Sequence, residues 1–184
     1  MKTKLQTYNN NWYKPGRGFV TRVLWFIANV LLVACRWNPS SGIRVFLLRL
    51  FGAKIGKGVV VKPSVEIKYP WLLVVGDNVW IGEHVWIDNL ALVEIGNSVC
   101  ISQGAFLLTG NHDYTKSTFD LLVKSIKLEE GVWIGAKAIV CPGVICHSHA
   151  VLTAGSVARK NLDPYTINSG NPALSIKERV FVQS

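Results

Sequence analysis

The sequence predicts an all-β fold, a parallel β-helix of six-residue repeats, preceded by a helical extension. Three observations carry this. From Ile55 onward an aliphatic residue returns at every sixth position, a glycine often follows it, and a small or β-branched residue stands four places after it. A fixed period of this kind marks stacked repeats rather than an ordinary alternating strand pattern.

Taken in order, residues 1–54 form an extension. Residues 1–18 are polar and aromatic, with Pro15, Gly16 and Gly18 as breakers. The run from Phe19 to Trp37 is strongly apolar, and Arg22 and Arg36 flank its densest piece. That piece is shorter than the roughly 20 residues that span a bilayer. Asn38-Pro39-Ser40-Ser41-Gly42 breaks the pattern, and Ile43 to Phe51 places Arg44 and Arg49 among bulky apolar residues, as a basic amphipathic helix would. Residues 19–53 therefore suit either a peripheral contact with anionic lipid or packing on the next domain or a partner subunit.

The repeat domain covers residues 55–177, with 178–184 as a tail. Its aliphatic positions run Ile55, Val61, Ile67, Val75, Ile81, Ile87, Ile95, Ile101 and Leu107, and resume at Leu128, Ile134, Val140, Cys146, Leu152 and Ala158. Ile55, Val75 and Ile95 are twenty apart, whereas Leu128 and Cys146 are eighteen apart. Three hexads make one three-sided coil, and the first coils carry two extra residues at one corner. Each short strand finds its hydrogen-bond partners in the coils above and below, and the inward aliphatics stack into one core. Gly56, Gly76, Gly82, Gly96 and Gly135 are expected to supply corner backbone angles. A sandwich of short strands would need alternation with period two, which the sustained hexad phase opposes.

Composition limits the function classes. Of 184 residues, 49% are hydrophobic and 17% charged, so a core can form and disorder is excluded. The net charge of +9 by itself suits nucleic acid, a membrane surface, an anionic small molecule or simple solubility; with the motifs below, no nucleic-acid partner is expected. Cys35, Cys100, Cys141 and Cys146 form no CxxC pair and read as buried thiols in a reducing compartment. The polar amino end has no cleavage site after it, so no signal peptide and a cytoplasmic address are expected.

The rhythm breaks once, between Leu107 and Leu128, and the loop 108–127 holds Gly110-Asn111-His112-Asp113-Tyr114. A solenoid that projects one polar loop generally uses it. Histidine titrates nearest neutrality, so His112 suits a general base. A carboxylate or a backbone carbonyl should hold its far ring nitrogen, with Asp113 and Glu130 as the carboxylate candidates. Asp88 and Asn89 lie one coil earlier and should stack close under His112. His84, His147 and His149 occupy corner-like positions and read as rim residues; no metal site is expected.

Several segments carry a resemblance: Trp86-Ile87-Asp88-Asn89-Leu90, Cys100-Ile101-Ser102-Gln103-Gly104, Thr109-Gly110-Asn111-His112-Asp113-Tyr114, Val132-Trp133-Ile134-Gly135-Ala136 and the closing Gly170-Asn171-Pro172-Ala173. They resemble the left-handed β-helix hexapeptide-repeat acyltransferases over about residues 53–177. The likeness is greatest to exopolysaccharide (colanic-acid-type) biosynthesis acetyltransferases and to galactoside and maltose O-acetyltransferases. It implies acetyl-CoA as co-substrate, a sugar or glycan hydroxyl as acceptor, lipid-linked in an exported polysaccharide, and a homotrimer with the donor in grooves between subunits. It further implies His112 as the base and Asn89 as an acceptor ligand, with Asp88, Asn111 and Asp113 beside them. Ala136 and Ala154 would line the pantetheine arm, and Arg159, Lys160 and Lys177 would meet the phosphates. Arg159 departs from the usual Thr and Leu174 replaces an Arg of some relatives. A zinc enzyme like the γ-type carbonic anhydrases shares the fold but needs three histidines around the metal; a non-enzymatic scaffold at the membrane would bind no CoA.

Overall fold

The structure is a computed structural model and describes residues 2–182. From Lys54 the chain winds as a three-sided solenoid, each coil giving one short strand to each of three parallel sheets. The first sheet stacks Lys54–Ile55, Leu73–Val75, Val93–Ile95, Ile126–Leu128 and Ile145–Cys146. The second runs from Val60–Val61 through Trp80–Ile81, Cys100–Ile101, Trp133–Ile134 and Val151–Leu152 to Thr166–Gly170. The third stacks Glu66–Ile67, Trp86–Asp88, Phe106–Leu108, Ile139–Val140 and Val157–Ala158. Ile55 pairs with Val75, Val75 with Ile95, Ile95 with Leu128 and Leu128 with Cys146, so the hexad aliphatics lie directly above one another. Together with the small residues four places on, such as Val65, Val85, Ala105, Ala138 and Ala150, they fill the interior and are buried, except Ile55 in the first coil, which is partly buried. Burial of apolar area at about 25 cal/mol per Å² is the main force holding the coils together.

The irregularities all fall at one corner, between the third and first sheets. Ile67 to Val75 and Ile87 to Ile95 are eight residues rather than six, and Leu107 to Leu128 is twenty-one. The first enlarged corner holds the short 3-10 turn Pro70–Leu72. Buried polar side chains fill the space: Asn89 donates to the Tyr69 and Leu72 carbonyls and accepts from the Tyr69 amide. One coil higher, the Thr109 hydroxyl donates to the Asp88 carbonyl and accepts from the Ala91 amide, both at 3.0 Å.

The expectation about corner glycines is corrected. Gly56, Gly76, Gly82, Gly96 and Gly135 do not have left-handed backbone. They are glycine because the next coil passes too close: a Cβ on Gly135 would stand 2.5 Å from the Ala154 amide nitrogen. The left-handed turn positions belong to other residues, among them Asn78, His84, Lys137 and His149, with φ between 56° and 60°. His84 and His149 are thus at corners, and His147 Nδ1 lies 3.3 Å from Glu129.

The extension closes the lower end of the solenoid. Helix α1 (Phe19–Ala28) runs into a π-helical turn, Asn29–Val33, and helix α2 (Ser41–Leu50) follows, with the Ser40 hydroxyl accepting from the Ile43 amide as its N-cap. Trp25, Val33, Val45 and Leu48 join the solenoid core. The Ser41 hydroxyl accepts from the Val61 amide, and Arg49 donates to the Ile55 and Gly56 carbonyls, so the first coil's exposed edge is satisfied.

One element of the basic amphipathic reading of α2 is corrected, the place of Arg44. Arg44 is completely buried and donates to the carbonyls of Val33, Cys35 and Asn38, which locks the hairpin. Burial lowers its pKa. Arg44 therefore does not present its charge at the surface, whereas Arg49 stays exposed. The opposite face of the extension nevertheless leaves Phe19, Val20, Leu24, Phe26, Leu31, Trp37, Phe46 and Leu50 exposed. No helix among the described residues is long and apolar enough to cross a membrane. At the other end, Thr166–Gly170 and Ala173–Glu178 form an antiparallel hairpin that covers the last coil.

Candidate active site

The loop of the enlarged corner is a β-hairpin. Gly110–His112 pairs antiparallel with Leu121–Val123, placing His112 opposite Leu121. The hairpin projects because its fifteen surplus residues have no coil to continue, so they satisfy their backbone groups with each other. The amino-terminal segment lies across it: the Lys4 amide donates to the Ser117 carbonyl, the Tyr8 ring is 5.6 Å from the His112 ring, and the Tyr13 hydroxyl donates to the Leu90 carbonyl at 2.8 Å. Burial, with Tyr69 and Asp88 nearby, raises the Tyr13 pKa, so its phenol stays a donor at neutral pH. Together these segments wall a cavity of about 560 Å³ that has His112, Asn111, Asp88, Lys68, Tyr8 and Arg22 on its lining.

His112 is held by an unforeseen residue. Its Nδ1 is 2.9 Å from the Phe119 carbonyl, and its ring stacks on the Phe119 ring at 4.4 Å with 8° between planes. A carbonyl only accepts, so Nδ1 carries the proton and, in the neutral ring, the lone pair is on Nε2. Phe119 achieves this with φ of 52°, left-handed backbone that a bulky side chain seldom adopts and that costs of order 1–3 kcal/mol. No sequence signal pointed to Phe119, because it lies seven residues on and meets the histidine only when the hairpin closes.

Both carboxylate candidates for this task are therefore corrected. Asp113 accepts from the backbone amide and the hydroxyl of Thr115, and the Thr115 hydroxyl is the chief reason its pKa is lowered. It shapes the loop turn rather than holding the ring. Glu130 follows the first-sheet strand at another corner of the prism.

Of the other expected acceptor residues, Asp88 does line the cavity, with its carboxylate 2.7 Å from Lys68 Nζ. The register that brings it there, Asp88 beside Leu108, is the twenty-residue spacing read from the sequence. Asn111 also lines the cavity, and its side-chain oxygen accepts from the His112 amide. Asn89 does not: it is fully buried and its amide is fully engaged by the corner backbone, so the acceptor-ligand assignment fails.

The residues expected along the donor divide into two groups. Ala136 and Ala154 share a groove of about 360 Å³ with Ser102, Gln103, Trp133 and Thr153. It lies at the corner between the second and third sheets, where Gly135 lets two coils close together. The Trp133 indole donates to Ser102 Oγ at its edge. Arg159 and Lys160 are exposed at the corner between the third and first sheets, and Lys177 is exposed on the terminal hairpin; none of the three lines this groove. Among the described residues no three His, Cys, Asp or Glu side chains gather as a metal site.

A three-sided β-helix with a histidine hairpin at one corner and a small-residue groove at another defines the hexapeptide-repeat acyltransferase class. No family model matches the chain. WcaF of Escherichia coli (strain K12), assigned by name to colanic acid biosynthesis as an acetyltransferase, is 41% identical over 159 residues, which are 85% of this chain and 86% of that one. Galactoside O-acetyltransferase of the same organism is 28% identical over 144 residues, 73% of this chain and 68% of that one. A hexapeptide-repeat acetyltransferase from Vibrio cholerae, solved with acetyl-CoA, superposes with a TM-score of 0.79 at 22% identity, covering 88% of each chain; this shows the shared left-handed β-helix fold. The chain belongs to the family of WcaF-type hexapeptide-repeat acetyltransferases.

Proposed function

We propose that the protein transfers an acetyl group from acetyl-CoA to a sugar hydroxyl of a surface-polysaccharide precursor, with His112 as general base. The observation that carries this is the Phe119 carbonyl on His112 Nδ1, which leaves Nε2 as the basic nitrogen of a histidine that lines a polar cavity. In this reading Nε2 takes the proton of the acceptor hydroxyl as its oxygen attacks the thioester carbonyl. The carbon becomes tetrahedral, the thiolate leaves on its collapse, and His112 returns the proton to the sulfur. No acyl-enzyme is required. Asp88 and Asn111 offer an acceptor and a donor to the sugar's other hydroxyls.

The two halves of the site lie at different corners of one chain. His112 is at the corner between the third and first sheets, and the Ala136–Ala154 groove is at the corner between the second and third. A neighbouring copy that presents its groove to this histidine completes the site, which supports a homotrimer around a threefold axis. The exposed apolar face of residues 19–53, with Lys14, Arg17 and Arg36 exposed near it, supports a peripheral membrane contact and an acceptor carried on lipid. Four unpaired cysteines fit the reducing cytoplasmic side.

The test is thiol release from acetyl-CoA by wild type and His112→Ala across a panel of sugar acceptors. Wild type should release thiol only with a sugar. His112→Ala should bind acetyl-CoA unchanged and lose about 10²–10⁴-fold in kcat. Failure of wild type to bind acetyl-CoA would overturn the proposal.

A further inference from the structure

A second chamber, of about 350 Å³, lies between α1 and the third sheet. It shares Arg22, Lys68, Tyr69 and Asp88 with the His112 cavity, so the two meet along one wall. Two polar atoms there are buried without a hydrogen-bond partner among the described residues: Arg22 Nε and Asn29 Oδ1. A buried donor or acceptor left unmatched costs about 1–3 kcal/mol, a cost that a ligand removes on binding. Lys68 is neutralised by Asp88 at 2.7 Å, whereas Arg22 has no carboxylate partner within 4.0 Å among the described residues. Glu66, the other carboxylate on the wall, is exposed to solvent. The chamber therefore presents one unpaired guanidinium. Its other lining is aromatic: Trp25, Phe26 and Trp86, whose ring is stacked on Phe106 at 4.5 Å. Phe26 is also 66% exposed, on the apolar face of α1.

The geometry points to this chamber as the subsite for the phosphate ester and first isoprenoid units of a lipid-linked glycan acceptor. Arg22 pairs with the phosphate, as a guanidinium fork suits. Asn29 Oδ1 accepts from a hydroxyl of the sugar joined to that phosphate, and the chain leaves past Phe26 onto the apolar helix face. A sugar next to the phosphate then reaches the His112 cavity across the Lys68–Asp88 wall. This deepens the acetyl-transfer reading and rests on it; it makes Arg22 a determinant of acceptor class.

The probe is farnesyl phosphate, titrated calorimetrically into the full chain, with farnesol, inorganic phosphate and glucuronate as the other arms. Acetyl-CoA binding is measured on the same samples. Wild type should bind farnesyl phosphate at least about tenfold more tightly than farnesol, inorganic phosphate or glucuronate, because both the charge and the apolar tail contribute. Arg22→Gln should lose about tenfold in that affinity, Arg22→Lys should fall between, and both should bind acetyl-CoA as wild type does, which certifies their fold. Farnesol binding as tightly as its phosphate would overturn the inference. So would unchanged affinity in Arg22→Gln, or Arg22-dependent binding of glucuronate in place of farnesyl phosphate. Failure of acetyl-CoA binding in wild type strikes the transfer reading instead and is read separately.

Discussion

Replacing Asn89 by alanine separates a corner role from an acceptor role. The side chain is completely buried and makes three hydrogen bonds, at 2.6 Å and 3.1 Å to the Tyr69 and Leu72 carbonyls and at 2.9 Å from the Tyr69 amide. Alanine leaves the Tyr69 amide and the Leu72 carbonyl unmatched inside the enlarged corner, while the Tyr69 carbonyl keeps the Leu72 amide at 3.0 Å. Each unmatched buried group costs about 1–3 kcal/mol, and water entering the vacated space recovers part of it, so a loss of about 2–4 kcal/mol is expected. For a chain of this size that lowers Tm by roughly 5–15 °C. Asn89→Asp should be at least as damaging, because it removes both donations and sets a carboxylate against two carbonyls. The assay is thermal unfolding by circular dichroism, run beside steady-state kinetics on the folded fraction at low temperature. The KM for the sugar should stay near wild type. If Asn89→Ala kept its Tm within a degree or two while the sugar KM rose, the corner account would be wrong and Asn89 would be an acceptor ligand after all.

Other outcomes follow from the same geometry. Phe119→Gly should lower kcat about tenfold through loss of the ring stacking that fixes His112, with acetyl-CoA affinity unchanged; stability should hold or rise, since glycine relieves the left-handed strain at φ 52°. Asp113→Asn should leave kcat within about threefold of wild type, because Asp113 contacts Thr115 and not the histidine ring; a hundredfold fall would restore the carboxylate as the orienting group. Ala154→Trp should fill the groove beside Trp133 and raise the KM for acetyl-CoA at least about tenfold without altering binding of farnesyl phosphate.

The sequence by itself determined the solenoid. The six-residue return of aliphatics through Ile55, Val75, Ile95, Leu128 and Cys146 leaves each coil with an apolar face that only another coil can bury, so period and register follow from local spacing. The break after Leu107 likewise located the hairpin, and the twenty-residue coil placed Asp88 near it. Three things were decided only by tertiary contact. Phe119 orients His112 because the hairpin closes, and Asn89 fills a corner whose enlargement is a property of stacked coils. Arg44 looked like a surface cation because its neighbours in sequence are apolar, but its partners are the carbonyls of Val33, Cys35 and Asn38 at the end of another helix. Periodic burial is written in spacing along the chain; a polar group's role depends on which unmatched backbone atoms the fold brings to it, and those lie elsewhere in the chain.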